Sequence, residues 1–392
     1  MANEALVTPS VMKWARERAR LDISTAAHKL HRPETDIAMW ESGEKRPTLA
    51  QAKKASEVYK RSLAVFYLPE PPKDFDTLKD YRLLPDQSLG EWSPELALLI
   101  RQVMVKQQWL SEYLQEIEMD KVSFIGSVTP RIAPGKLAII IRKHLNLDIS
   151  EQIKCREPRE AFNLWIEHAE MAGVNICRQG GIESEEARGF ALTDEYAPFV
   201  YINSNDSFAG RLFTLVHELA HLWINQPGIS NMIGDYRRAR RPDAQIEYYC
   251  NQVAGKTLVD DSILLSQWKV RDSDESLIDQ VQQIARYFSV SEEVVARSLL
   301  EQNSISRREY RDLRSHYLRE WEKYKKKKTS GFLVYGQRRV LENGNYFSQT
   351  VLGAYQQGRL LARDASGLLH VKVNHFDQLK PYLHTIKRGG RS

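Results

Sequence analysis

Cysteine is scarce in this chain of 392 residues: Cys155, Cys177 and Cys250 are the only three, and no two form a CxxC pair. That excludes a disulfide-dense scaffold and points to buried thiols in a reducing compartment. Long apolar runs are missing as well. LAIII, from Leu137 to Ile141, is bounded by charge and falls far short of the roughly 20 residues that span a bilayer, so no membrane partner is expected. The opening MANEALVTPS lacks a basic stretch followed by an apolar core, so it does not read as a signal peptide, and a cytoplasmic location is expected. Repeats and low-complexity tracts are absent too, which implies order along almost the whole chain. Nor is there a large charge imbalance. The net charge of +5, from 56 Lys and Arg against 51 Asp and Glu, permits a nucleic-acid partner without demanding one.

What remains is an ordinary globular composition, 42% hydrophobic and 27% charged, on a chain long enough for two or three domains and at least one large core. Residues 9–68 read as helix-rich, and PEPPKDF, from Pro69 to Phe75, breaks that pattern with three prolines. Further helices are predicted over Ser93 to Glu118, Pro134 to Leu145 and Pro158 to Ala172; the first opens SPEL, an N-cap followed by proline. Short β-rich runs follow at 174–182, 187–194 and 198–203. A helix over Ser207 to Ile224 comes next, then a loop, then a helix over Ala244 to Leu258. Two more helices lie within Ser276 to Leu300, with a break near Phe288. EKYKKKKTSG, at 322–331, reads as a basic linker after a charged helix, and RLLARDASGLLHVKVNHFDQL has the look of a small helix–turn–helix. The division is 1–69, a helical domain; 70–133, a linker and helical connector; 134–305, an α+β core; and 306–392, a basic helix or linker with a small C-terminal region.

FTLVHELAHLWIN, from Phe213 to Asn225, is a helix with much apolar surface that also carries His217, Glu218 and His221. A core helix with satisfied polar groups is the plain reading. The alternative is a metal site, because positions i and i+4 share a helix face and let both histidines reach one ion. Glu218 then stands beside the ion, where a general base takes a proton from a bound water. A catalytic zinc needs a third protein ligand and an open position. EYYCNQVAG supplies Glu247 on the second helix, with Asn251 one turn on to buttress a ligand histidine. Asp243 and Asp235 are competing third ligands without that pattern.

These paired motifs, FTLVHELAH and then ExxCNxVAG, resemble the ImmA/IrrE metallopeptidase family, as does the preceding order RGFAL, PFVYIN, polar turn, helix. The resemblance spans roughly residues 150–270. It implies a Zn2+ cofactor held by His217, His221 and Glu247, with Glu218 activating the water and Asn251 behind the ligands. It also implies a gluzincin-like endopeptidase whose substrate is a regulatory protein, a repressor-type transcription regulator above all. Three positions depart from the family pattern, Ala220, Cys250 and Val253, and none removes a catalytic group. Tyr236, Tyr248, Tyr249 and His316 are open candidates for steadying the oxyanion.

WESGEKRPTL, from Trp40 to Leu49, with the preceding ISTAAHKLHRPETDIAMW, resembles a phage-repressor (Xre-type) helix–turn–helix domain across 9–68. Ala26, Ala27, Leu30, Ile37 and Trp40 are expected in its core, Gly43 at the end of its third helix, and Arg16 paired with Glu41. The resemblance makes DNA a candidate partner through residues 1–69, with Arg32, Thr35, Lys45 and Arg46 as candidate contacts. Against this, the recognition helix opens Pro33, Glu34, Thr35, Asp36, aiming two carboxylates at phosphates. Residues 1–70 hold 12 Lys and Arg against 9 Asp and Glu, a weak electrostatic footprint. The same domain is equally a place to hold a protein. Lys323 and Lys325 to Lys328 are another candidate for phosphate contact, although such a run is commonly a solvated helix end or linker.

The expected fold class is therefore α+β and multidomain: an all-α helix–turn–helix domain, a zincin-like α+β metallopeptidase core with a small sheet and the HExxH helix, and a helical C-terminal region. The rival reading is a DNA-binding transcriptional regulator or antitoxin-like protein whose zinc site is structural or vestigial. Glu218 separates the two, because a purely structural site has no use for a carboxylate beside the ion.

Overall fold

The structure is a computed structural model that describes residues 4–19, 21–72, 79–80, 93–226, 228–230, 242–271, 274–327 and 333–384. The chain divides into two compact units, 1–78 with 86–103 and 79–85 with 104–392.

The first unit is helical. It contains α1 (Pro9–Arg18), α2 (Ile23–Leu30), α3 (Glu34–Ser42), α4 (Leu49–Val58) and a 3-10 turn over Leu63–Tyr67. Local chemistry sets these limits: Asp22 caps α2 by accepting from Thr25 N, and Thr48 and Gln51 form a capping box on α4. Gly43 ends α3 at φ +83°, a left-handed conformation that favours glycine. Ala26, Ala27, Leu30, Ile37 and Trp40 are all buried, as expected. The expected pairing of Arg16 and Glu41 is present, with Nε and the carboxylate 2.6 Å apart.

The second unit contains the sheet. In chain order its elements are β1 (Lys79–Asp80), α5 (Pro94–Glu116, which begins in the first unit), α6 (Pro134–Leu145), α7 (Ile149–Ile153), α8 (Pro158–Met171), β2 (Asn175–Gln179), β3 (Gly189–Leu192), β4 (Phe199–Asn203), α9 (Phe208–Trp223), β5 (Gly228–Ser230) and α10 (Pro242–Leu258). Then follow α11 (Asp261–Val270), α12 (Leu277–Phe288), α13 (Glu292–Glu301), α14 (Arg307–Lys327), α15 (Tyr335–Asn343), α16 (Asn345–Gln356) and α17 (Ala362–Leu369), with 3-10 turns over Val373–Gln378 and Lys380–Tyr382.

The strand order is β1-β5-β3-β4-β2. β2 runs parallel to β4, while β3 is antiparallel to both β4 and β5. Alternation along the strands gives the sheet two apolar faces. Ile176, Ala191, Val200 and Ile202 join the large core with α8, α9 and α10. Phe199 and Cys177 point the other way, Phe199 to Phe347 at 5.9 Å and the Cys177 thiol to the Asn343 carbonyl at 3.4 Å.

Four expectations are corrected. α10 begins at Pro242, two positions before the predicted start. α11 was not anticipated, although Asp260 caps it by accepting from Ser262 N and Ile263 N. The basic run at 322–331 is no linker in its first part, since α14 continues to Lys327. The segment expected to form a small helix–turn–helix builds one α-helix, α17, and 3-10 turns, because Val373–Gln378 closes too tightly for a second α-helix. This region packs on β2, closest at Gly344, whose φ of +87° brings it against the Ile176 backbone.

Candidate metal centre

Helix α9 is buried all round. Every residue from Leu212 to Trp223 is shielded from water, including His217, Glu218 and His221 at 0% exposure. A helix that is apolar on all sides belongs in a core, so three ionisable groups there carry a large desolvation cost unless something compensates it. Ser207 fixes the start of α9 by accepting from Gly210 N at 3.1 Å. The helix lies beneath β3 so closely that a Cβ on Gly189 would stand 3.2 Å from Glu218 Oε1.

α10 brings Glu247, also at 0% exposure, to the two histidines. His217 Nε2 lies 3.2 Å from one Glu247 oxygen and His221 Nε2 lies 3.0 Å from the other. The two Nε2 atoms are 3.0 Å apart. His221 Nδ1 lies 2.8 Å from the Gln226 carbonyl. That oxygen only accepts, so Nδ1 carries a proton, and in the neutral ring that leaves the lone pair of Nε2 turned toward Glu247. Neither Glu247 oxygen accepts a hydrogen bond. Lone pairs thus converge from three sides in a dry place, an arrangement that calls for a cation.

The donor set fits zinc. All three ligand atoms lie within 4.8 Å of one another. Tetrahedral bonds of about 2.0–2.1 Å place neighbouring ligand atoms roughly 3.3 Å apart, close to the separations here. Electrostatics agrees. Burial alone would raise the Glu247 carboxyl, yet the facing His217 and His221 hold it down at about 2. Burial would lower His221, but Cys250 and Glu247 carry it well above its ordinary value. Burial pushes the Cys250 thiol up and leaves it neutral, so Glu247 is the effective partner.

Other expected site residues are placed as follows. Asn251 is buried at 5% exposure on α10, while the hydrogen bond that orients His221 runs to the Gln226 carbonyl. Asp235 and Tyr236 lie outside the described residues, as does the side chain of Asp243. The Tyr248 hydroxyl accepts from Gln252 Nε2 at 3.2 Å, the Tyr249 hydroxyl is buried without a hydrogen-bond partner, and His316 sits on α14. Sequence reasoning missed Gly189, Cys250 as a neighbour of His221, and the Gln226 carbonyl. Only Gly189 left a trace, as the small residue opening a strand in RGFAL.

In the first unit, Arg32, Thr35 and Arg46 are exposed. Lys45 is engaged, its Nζ 2.7 Å from Asp36 Oδ1. This corrects the expectation for the start of α3: Asp36 is buried against Lys45 and does not face outward, which also occupies one candidate DNA contact.

Residues 169–300 match the family of the IrrE N-terminal-like domain, Peptidase_M78. The match covers β2, β3, β4, α9 and α10, hence every residue of the buried cluster, and supports a peptidase of the ImmA/IrrE type. No curated protein matches the chain. Among the described residues, no helix is long and apolar enough to cross a membrane.

Proposed function

We propose that this chain is a zinc-dependent endopeptidase that cleaves a regulatory protein, a repressor-type transcription regulator being the substrate the family resemblance suggests, in a cytoplasmic setting. The observation that carries the reading is the convergence of His217, His221 and Glu247 lone pairs in a dry site with Glu218 alongside. Zinc held there supplies Lewis acidity, lowering the pKa of a water and polarising a carbonyl. The chain does the rest. Gln226 orients His221, the two helices fix the donor spacing, and Glu218 takes the proton from the attacking water and hands it to the leaving amine.

The first unit is read as a repressor-like helix–turn–helix domain. The Arg16–Glu41 pair and the Gly43 end of α3 support that reading. Its exposed candidates for DNA contact are Arg32, Thr35 and Arg46.

The decisive experiment compares newly created protein N-termini in host cells carrying the wild-type chain or Glu218→Gln, with and without DNA damage. A terminus present only with the wild type identifies the substrate and the bond. Equal termini under every condition, with both proteins fully zinc-loaded, defeat the peptidase reading in favour of the regulator with a structural zinc.

A further inference from the structure

One helix of the second unit is strongly basic. α14 carries nine Lys and Arg against four Asp and Glu, an excess equal to the +5 of the whole molecule.

The structure makes this helix one-sided. Tyr310 and Leu313 are buried, at 5% and 2% exposure, and Tyr317 packs against the same core. At 100° per residue, Arg308, Arg311 and Arg319 fall on the opposite side together with the exposed Asp312, with Arg307 at its margin. All four arginines are exposed. Two of the other charges are already committed. Glu309 turns back to the helix start, accepting from Ser306 N at 2.7 Å. Arg314 leans to Glu293 at 3.6 Å. Among the described residues, no ion pair engages Arg307, Arg308, Arg311 or Arg319. Lys323 and Lys325 to Lys327 continue the same helix. Its 21 residues extend about 30 Å, close to one turn of duplex DNA at roughly 34 Å.

We propose that α14 is a docking surface for the phosphate backbone of duplex DNA. Arginine forks in a row suit phosphate oxygens, and an edge on which four arginines outnumber Asp312 is a net positive match for a line of negative charge. An anionic membrane is the poorer fit. An interfacial helix needs an apolar side to insert, and α14 has its apolar side packed into the core, leaving Leu318 alone exposed at 51% among its described large apolar residues. The contact reads no sequence, since it reaches the backbone and not the base edges. It holds the molecule near DNA whatever residues 1–69 do, and it does not depend on the peptidase reading.

The test is fluorescence anisotropy of the full chain on a labelled mixed-sequence DNA duplex across a salt series. The comparison variant is Arg307→Gln, Arg308→Gln, Arg311→Gln and Arg319→Gln combined, and the same four positions changed to Lys preserve the charge. The slope of log affinity against log salt is expected to fall by about 3 to 4 in the Gln variant, near 0.9 for each lost contact. The Lys variant should keep most of the wild-type slope. A Gln variant with the wild-type slope overturns the proposal, and more pointedly so if Arg32→Ala with Arg46→Ala abolishes binding. It is equally overturned if the wild-type chain ignores the duplex at low salt, or ignores it while binding phosphatidylserine vesicles.

Discussion

A single methyl group at position 189 reaches the proposed base. Built on Gly189, it would lie 2.5 Å from Thr214 Cγ2, 2.9 Å from the Tyr201 carbonyl and 3.2 Å from Glu218 Oε1. The carbonyl belongs to the neighbouring strand and cannot rotate away. Gly189→Ala is therefore expected to cost about 1–3 kcal/mol in denaturant unfolding and to depress cleavage by displacing Glu218, while metal content stays at the wild-type level because no ligand comes from β3. Metal content that falls along with activity would show a broader collapse. The ligands themselves compete for protons. With His221 held well above its ordinary value by Glu247, protons enter the site already above the usual imidazole range near 6.5. Zinc affinity, measured against a chelator, should drop as pH falls through the imidazole range near 6.5, by up to about tenfold per unit for each proton displaced. A flat profile over that interval would count against histidine ligation. Glu247→Gln removes the charge and keeps the shape, and dialysed protein should then retain little zinc. His217 and His221 were legible because helical spacing puts them on one face, with Glu218 beside them, whereas Glu247, on another helix, was legible only through its spacing to Asn251 and the resemblance that the paired motifs carry. The Gln226 carbonyl was not, since a backbone oxygen looks the same at every residue.

Elements were legible where an end signal stood beside a periodic run. Pro134, Pro158 and Ser207 marked the starts of α6, α8 and α9, and Gly and Pro punctuated the three longer strands. α11 was lost although Asp260 is a start signal, because it follows α10 almost without a break and no Gly or Pro separates the two. The lysines of α14 were misread because they carry no apolar period. Lysine is nevertheless a good helix former, and no breaker intervenes before Gly331. Glu170 ties one element to another. It sits on α8 at 6% exposure and accepts from Asn345 N at the start of α16, 3.3 Å away. Burial lifts its carboxyl to about 7, with Arg178 opposing only part of the rise. The sign follows from proton counts: between about 4.5 and 7 the folded chain binds more protons than the unfolded one, so stability falls as pH rises through that window and levels off above it. Glu170→Gln keeps the acceptor and removes the ionisation. Urea unfolding should show the wild type losing on the order of 3 kcal/mol relative to the variant between pH 4.5 and pH 8. Parallel pH profiles for the two would show that the carboxyl is not buried as described.

At the scale of the whole molecule, the C-terminal helices complete the sheet. Phe347 is fully buried between Trp109 and Phe199, 5.9 Å from each ring. Asn343 accepts from Cys177, and Gly344 lies against the β2 backbone. A chain ending at residue 332 should lose more than about 3 kcal/mol, the usual cost of one large aromatic removed from a core. It should also self-associate on light scattering. An unchanged urea midpoint and a monodisperse solution would show instead that the segment is dispensable. Composition gave no hint of this docking, because it is made by packing between residues more than a hundred positions apart. It also gives the molecule a clock. β2 is synthesised roughly 150 residues before α15, and at about 5–20 residues per second the ribosome needs on the order of 10–30 s to make the difference. Throughout that interval the face of the sheet that carries Phe199 and Cys177 lacks its cover. The growing chain therefore shows that apolar face to its surroundings until its last helices exist to close over it.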